Sequence, residues 1–570
     1  MEEHTRDRVL RGHGIGSGIG IGPVRHMAPP LREPENSMSL VSPDEGWAQA
    51  QRASEEVANR FRQAAKTFDG PTEEILLASA MMAEDPAVLR NIKQRVQQGL
   101  SPERAVYESF AEFRRKLLQI GGKYAERAAD LDDISQRIRA HIAGVPVPGV
   151  PRSTTPFVLV ARDLAPADTA TLDFSVVRAL VTEEGGPTGH TAILARSKGL
   201  PAIIGCEGAL DIEEGAPVIV DSRHGKVLLH PSDIEVEDAK GRADVRNARL
   251  ESSRGPGVLK DGTQIQLLAN LGSIDEAAGA VRADAEGVGL FRTEFLFIGS
   301  TQPPTRETQA AAYRELLDQF PGKKVVVRLL DAGADKPLPY LTYQDEANPA
   351  LGLRGYRALT RHDQVLNTQL AALADAAEGC EAELWVMAPM IADAPEAEAF
   401  VKAGRAAGLK TLGVMAEVPS IAVMADQVAR VTDFVSVGTN DLTQYALAAD
   451  RTLASMSQYQ DPWHPAVLRL MCMLGDAARQ EGKSLGVCGE GASDPLLAAV
   501  MIGLGADSLS MAPDAIPEVR LGLAEVTLDQ AQRAATAACE AVGPAEARAA
   551  ATAILVDENV DAPGDAAALT

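Results

Sequence analysis

The stretch GGPTGHTAILAR (185–196) sets one histidine between a glycine-rich polar turn and an apolar, helix-forming run. That order places His190 at or beside a helix N-terminus, where unpaired backbone N–H groups favour an incoming anion. A neutral imidazole, with an ordinary pKa near 6.5, is also a competent nucleophile toward phosphorus near neutral pH. A loop histidine bonded to a backbone carbonyl has the same local appearance.

A second set of candidates lies in the C-terminal half. Arg292 in GLFRTEF, Arg328 in VVRLLDAGADK and Arg451 in AADR offer planar forks that match phosphate and carboxylate oxygens. Lys336 adds a further positive charge. Glu417 in VMAEVPS and Asp441 in SVGTNDLTQY are carboxylates that suit Mg2+, with water and substrate phosphate completing the shell. Asn440 or Asp441 could equally cap the helix that comes after them. Cys488 in GVCGE reads, by itself, as a small buried apolar residue.

These residues need elements to hold them. Strand-like segments occur at 264–271, 287–295, 324–331, 383–390, 410–418, 433–441, 484–490 and 508–512, with helical segments between nearly all of them. Eight strands in about 250 residues predict a (β/α)8 barrel, whose chemistry sits where strands end. Asn270, Arg292, Arg328, Glu417, Asn440, Asp441, Cys488 and Ser510 all fall at that end.

Ahead of the barrel the periodicity changes twice. Residues 43–144 step apolar residues at three and four, which predicts an all-helical block. FVLVA, VRALVT, PAIIG and PVIVD predict a compact α/β unit built from 1–42 and 145–230. The opening GHGIGSGIGIGP (12–23) lacks the spacing of a nucleotide loop and reads as an edge strand and turn. Residues 231–260 read as a helical linker, 261–541 as the barrel and 542–570 as a frayed tail.

Lys and Arg number 55 against 79 Asp and Glu, a net charge of −24 that disfavours nucleic acid and anionic membrane faces and suits a basic protein partner. Five scattered cysteines support neither a disulfide framework nor a zinc site. With no secretory signal and no long apolar run, the expected location is cytoplasmic.

GGPTGHTAILAR meets the phosphohistidine signature of phosphoenolpyruvate-utilising enzymes through all twelve positions. From the glycine-rich opening to about residue 523, the chain resembles Enzyme I, the phosphoenolpyruvate–protein phosphotransferase of the bacterial sugar phosphotransferase system. The resemblance implies a multidomain α/β protein whose α/β phosphohistidine domain carries an inserted helical subdomain, followed by a TIM barrel. It implies phosphorylation of His190 on Nε2, transfer to the phosphocarrier HPr docked on the helical block, and a homodimer formed through the barrel. By similarity Glu417 and Asp441 hold Mg2+, Asn440 contacts phosphate and Cys488 is the general acid. Acidic residues including Glu73, Glu74, Glu84 and Asp85 would suit a basic face on HPr. Arg127, in ERAADLDD, follows a family-like string near the hinge side of the block. The chain departs from the family pattern at Gly189, Ala165, Ala334, Gly491 and Ser493. A dikinase or phosphoenolpyruvate synthase, and a non-catalytic regulatory paralogue, are the alternatives.

Overall fold

The structure, a computed structural model, describes residues 8–556 except 17, 29–30, 36–38, 66–77, 121–127, 146–147, 152, 165–171, 186–190, 193–194, 196–198, 299, 301, 334–337, 339, 342–345, 347, 451–455 and 457–458.

Short apolar runs build an eight-stranded sheet from β1 (Val9–Arg11), β2 (His13–Ile15), β3 (Ile19–His26), β4 (Phe157–Ala161), β5 (Val177–Thr182), β6 (Ala202–Ile204), β7 (Pro217–Asp221) and β8 (Lys226–Leu229). Their spatial order is β1-β8-β7-β3-β4-β5-β6-β2. β3 to β6 run parallel and all five residues of β4 are buried, as expected where both faces of a sheet are covered. The glycine-rich opening is only half an edge. β2 is the edge strand, but β3 lies in the middle of the sheet between β4 and β7. Glycine serves there because the backbones close in: a Cβ on Gly20 would stand 2.5 Å from the Arg178 carbonyl oxygen.

Between β3 and β4 lie helices Pro43–Ala65, Pro86–Gln97, Pro102–Ile120 and Ala128–Ala143. Proline opens three of them, where its missing N–H costs nothing. Val57, Val88, Ile92, Phe110, Ile134 and Ile138 form their common core. Asp85 caps the second helix, accepting from the N–H groups of Ala87 and Val88 at 2.7 and 3.1 Å, and Glu84 pairs with Arg62. Two acids expected on the docking face are therefore engaged within the block. Glu73, Glu74 and Arg127 lie outside the described residues.

Helix Asp233–Ser252 starts from a Ser232–Glu235 capping box and buries a single residue, Ala239. Arg8–Glu235 and Arg242–Asp221 tie it to the first sheet; Arg246–Glu518 and Arg249–Glu525 tie it to the C-terminal half.

That C-terminal half is a closed barrel of eight parallel strands: β9 (Gln266–Leu271), β10 (Gly287–Arg292), β11 (Lys324–Arg328), β12 (Glu383–Ala388), β13 (Thr411–Ala416), β14 (Phe434–Val437), β15 (Ser484–Val487) and β16 (Ser508–Met511). Several strands stop sooner than their apolar patterns suggest. β10, β11, β13 and β14 end at 292, 328, 416 and 437, and the polar residues beyond them turn into rim loops. The segment expected to fray does not do so throughout. Pro544–Leu555 is a helix whose Ala547, Ala551 and Leu555 form one buried stripe, and it packs against helix Leu528–Glu540. Among the described residues no helix is long and apolar enough to cross a membrane.

Candidate active site

Asp163 and Thr191, which flank the first expected site in sequence, meet beyond the carboxyl end of β4, the usual side for a ligand on a parallel sheet. His190 itself, with Gly189 and Ala165, lies outside the described residues. Its neighbour Thr191 is described and helical. The buried Thr191 hydroxyl donates to Asp163 Oδ1 at 2.8 Å and to the Leu164 carbonyl at 3.4 Å, which anchors the residue after His190 to the turn that succeeds β4. The sequence singled out the replaced hydroxyls around this turn and missed the one that holds it.

The second site is the barrel rim. Arg328 closes β11 and is 5% exposed; its guanidinium pairs with Glu294 and lies 3.5 Å from Asp331. Both carboxylates come from beyond strand ends, Glu294 at the start of the short 3-10 turn after β10 and Asp331 in the loop after β11. Arg354, which the sequence reading did not single out, joins the loop after β11 to the helix that comes after β14. It donates to both oxygens of Asp331 at 3.1 and 3.0 Å and to both oxygens of Asp441 at 2.9 and 3.1 Å. Burial opposes the charge of Arg328 and Arg354, but these carboxylates more than offset it and both pKa values rise.

Glu417 comes directly after β13 and is 1% exposed. Its Oε1 accepts from the Met390 N–H at 2.7 Å. Loss of hydration, then repulsion from Asp441 and Asp331, pushes its pKa up to about 8, against the pull of Arg328 and Arg354. Space for the carboxylate depends on Gly438, where a Cβ would stand 3.0 Å from Glu417 Oε2. Glu294, Asp331, Glu417 and Asp441 thus outnumber the two buried arginines. That excess of buried negative charge suits a hard divalent cation. Among the described residues no three His, Cys, Asp or Glu side chains are grouped to hold a metal, but two carboxylates with water and substrate oxygens satisfy Mg2+. Arg328 Nε and Thr439 Oγ1 are buried without a hydrogen-bond partner among the described residues, as groups facing a ligand would be.

Cys488 stands just after β15 and is 4% exposed. Its thiol donates to the Val437 carbonyl at 3.4 Å and accepts from Ser436 Oγ at 3.3 Å. Burial pushes its pKa to about 11, opposed by Ser436, Arg328 and Arg292, so sulfur keeps its proton at neutral pH. Arg292 ends β10 and is exposed. Asn440 is the second residue of the helix Thr439–Ala446 and accepts from the Glu490 N–H at 3.4 Å. Asn270 and Ser510, also on the expected rim, are occupied with each other at 2.5 Å, and Asn270 braces the carbonyls of Cys488 and Ser510. Lys336 and Arg451 lie outside the described residues. Asp331 and Glu294 stood in plain view beside Arg328 and Arg292. Arg354 comes from a loop with no strand to announce it.

A parallel barrel with a buried arginine–carboxylate rim, preceded by an α/β domain with an inserted helical block, is the architecture of a phosphoenolpyruvate-utilising enzyme. Residues 11–127, 154–225 and 247–528 match, in turn, the N-terminal, mobile and PEP-binding domains of PEP-utilising enzymes. The chain is 49% identical over 555 residues to the phosphoenolpyruvate-protein phosphotransferase of Streptomyces coelicolor, covering 97% of this chain and 100% of that one. It is 36% identical to the Bacillus subtilis protein of that name, covering 92% and 95%. A Haloferax volcanii protein of the same name is 37% identical, covering 95% and 98%. The chain belongs to the phosphoenolpyruvate-protein phosphotransferase family, Enzyme I.

Proposed function

We propose that this protein takes the phosphoryl group of phosphoenolpyruvate onto His190 and passes it to HPr, the first step of the sugar phosphotransferase system. The observation that carries this is the buried rim around Arg328, Arg354, Glu417 and Asp441, in a chain whose relatives carry the activity in their name.

Arg292, Arg328 and Arg451 would clamp substrate phosphate and carboxylate, with Asn440 and Lys336 as further contacts. Glu417 and Asp441 would hold Mg2+, which when bound neutralises charge on the phosphoryl oxygens as the bridging bond loosens. His190 Nε2 forms the new bond to phosphorus while the bridging P–O bond breaks and leaves the enolate of pyruvate. Cys488 gives its thiol proton to the methylene carbon; its raised pKa keeps that proton available. His190 stands about seventy residues before the barrel in a separate domain, so that domain must swing between the rim and HPr on the helical block. The domains run 1–42 with 145–230, 43–144, 231–260 and 261–541. A homodimer through the barrel and a cytoplasmic location go with this function.

The test is incubation with 32P-labelled phosphoenolpyruvate and Mg2+, for wild type and His190→Ala. Acid-labile label on the wild type alone, chased onto HPr, is expected. Failure to label the wild type would refute the proposal, and a requirement for ATP would point to a dikinase.

A further inference from the structure

Cys488 faces a difficulty that the forward reaction does not resolve. Each proton given to substrate would leave a thiolate in a position only 4% exposed, beneath the rim proposed to hold substrate. The barrel interior below it is not fully packed. A cavity of about 20 Å3 lies there, enough for one water, and shares the walls Val326 and Phe434 with the cluster around Cys488. Its polar lining runs in one direction. Lys324, Ser484 and Ser508 are the first residues of β11, β15 and β16, at the mouth opposite the active rim. Ser436, the third residue of β14, stands at the upper end and donates to Cys488 Sγ at 3.3 Å. A Cβ on Gly486 would lie 3.1 Å from Ser508 Oγ and 3.7 Å from Ser436 Oγ, so the missing side chain leaves the gap between these hydroxyls. Packed barrel interiors are normally filled by branched apolar residues. A column of serines ending under a cysteine calls for another explanation.

We propose that the Cys488 thiolate is reprotonated from inside the barrel, through the Ser436 hydroxyl and a water between Ser436 and Ser508, with Lys324 at the far mouth. The proposal rests on Cys488 as the proton donor. As the S–H bond breaks, the enolate carbon gains the proton and sulfur keeps the electron pair. The Ser436 O–H proton then passes to sulfur, the serine oxygen takes one from the cavity water, and the Lys324 ammonium replaces the water's. Solvent at the mouth restores the lysine. Lys324 is 7% exposed with its Nζ 4.4 Å from the Trp385 ring centre, and burial lowers its pKa, which eases release of a proton inward. Ser436 is here a positioning and relay residue, with no role in holding phosphoenolpyruvate.

The experiment uses pyruvate labelled with 14C at its carboxyl and with tritium in its methyl group, together with full-length enzyme, phosphoenolpyruvate and Mg2+. Carbon exchange into phosphoenolpyruvate counts reversals of the reaction. Tritium in water counts how often the hydrogen held by Cys488 escapes before it is returned. The ratio of the two is insensitive to a general loss of activity. It should fall at least tenfold in Ser436→Ala and in Gly486→Ala, which fills the water site, and be retained in Ser436→Thr. An unchanged ratio in both Ser436→Ala and Gly486→Ala would overturn the path. Tritium release persisting in Cys488→Ala would instead remove the donor role itself.

Discussion

Replacing Glu417 by glutamine should stabilise the metal-free protein while abolishing its turnover. The carboxyl is buried, and lost hydration with repulsion from Asp441 and Asp331 raises its pKa from 4.5 to about 8. The folded state therefore binds this proton more tightly than the unfolded chain. Below pH 4.5 both states carry it and the group costs nothing. Between 4.5 and 8 stability falls as pH rises, and above 8 the full cost is present. At about 1.4 kcal/mol per pH unit the ceiling is about 5 kcal/mol. Glutamine keeps an oxygen for the Met390 N–H, which lies 2.7 Å from Glu417 Oε1, and sheds the charge. Thermal unfolding with a chelator present, followed by the barrel tryptophans Trp385 and Trp463, reads the difference. Glu417→Gln should match the wild type within about 1 kcal/mol at pH 5 and exceed it by several kcal/mol at pH 9, at ~2–4 °C each. Added Mg2+ should raise the wild-type midpoint and leave the variant's nearly unmoved. A gap that does not grow with pH, or a variant less stable at pH 9, would refute the assignment of strain to this carboxylate.

Other perturbations give outcomes of different kinds. Arg354→Leu strips the shared counterion from Asp331 and Asp441 and should cost about 3–5 kcal/mol in chemical denaturation, where Arg242→Leu on the exposed linker helix costs under ~1 kcal/mol. Cys488→Ala should bind phosphoenolpyruvate nearly as wild type by calorimetry, while pyruvate formation falls by roughly 100-fold or more. Gly20→Ala forces a Cβ to 2.5 Å from the Arg178 carbonyl in a central strand and should lower the melting transition of the first domain by several degrees; an unchanged transition would mean that β3 is not central.

Periodicity carried far in this chain because apolar alternation and chain length report on burial directly. All eight barrel strands and β4, β5, β6 and β7 lie within the expected segments. The errors share a cause: pattern reading sees one segment's own residues, whereas strand limits depend on what faces them. β3 reads as an edge because glycine is rare in central strands, and only its closeness to β5 at Gly20 and to β4 at Gly22 shows why glycine is required. The alanine stripe of 544–555 looks featureless until helix Leu528–Glu540 supplies its other wall.

The amino-acid sequence by itself pointed to the kind of chemistry, because a histidine in a phosphohistidine-type string, arginine forks and paired carboxylates occur there in fixed local contexts. It also determined that Arg328, Glu417, Asp441 and Cys488 share one rim, since each stands at or just beyond the end of an apolar strand of a barrel. Only the tertiary structure decided how that rim is balanced. Arg354 reaches both Asp331 and Asp441 from a loop, Glu417 is left holding a costly charge, and Cys488 rests on Ser436 above a small cavity. These are contacts between residues 23 to 87 positions apart. Electrostatic energy depends on separation in space and on burial, and no local pattern encodes either across such gaps.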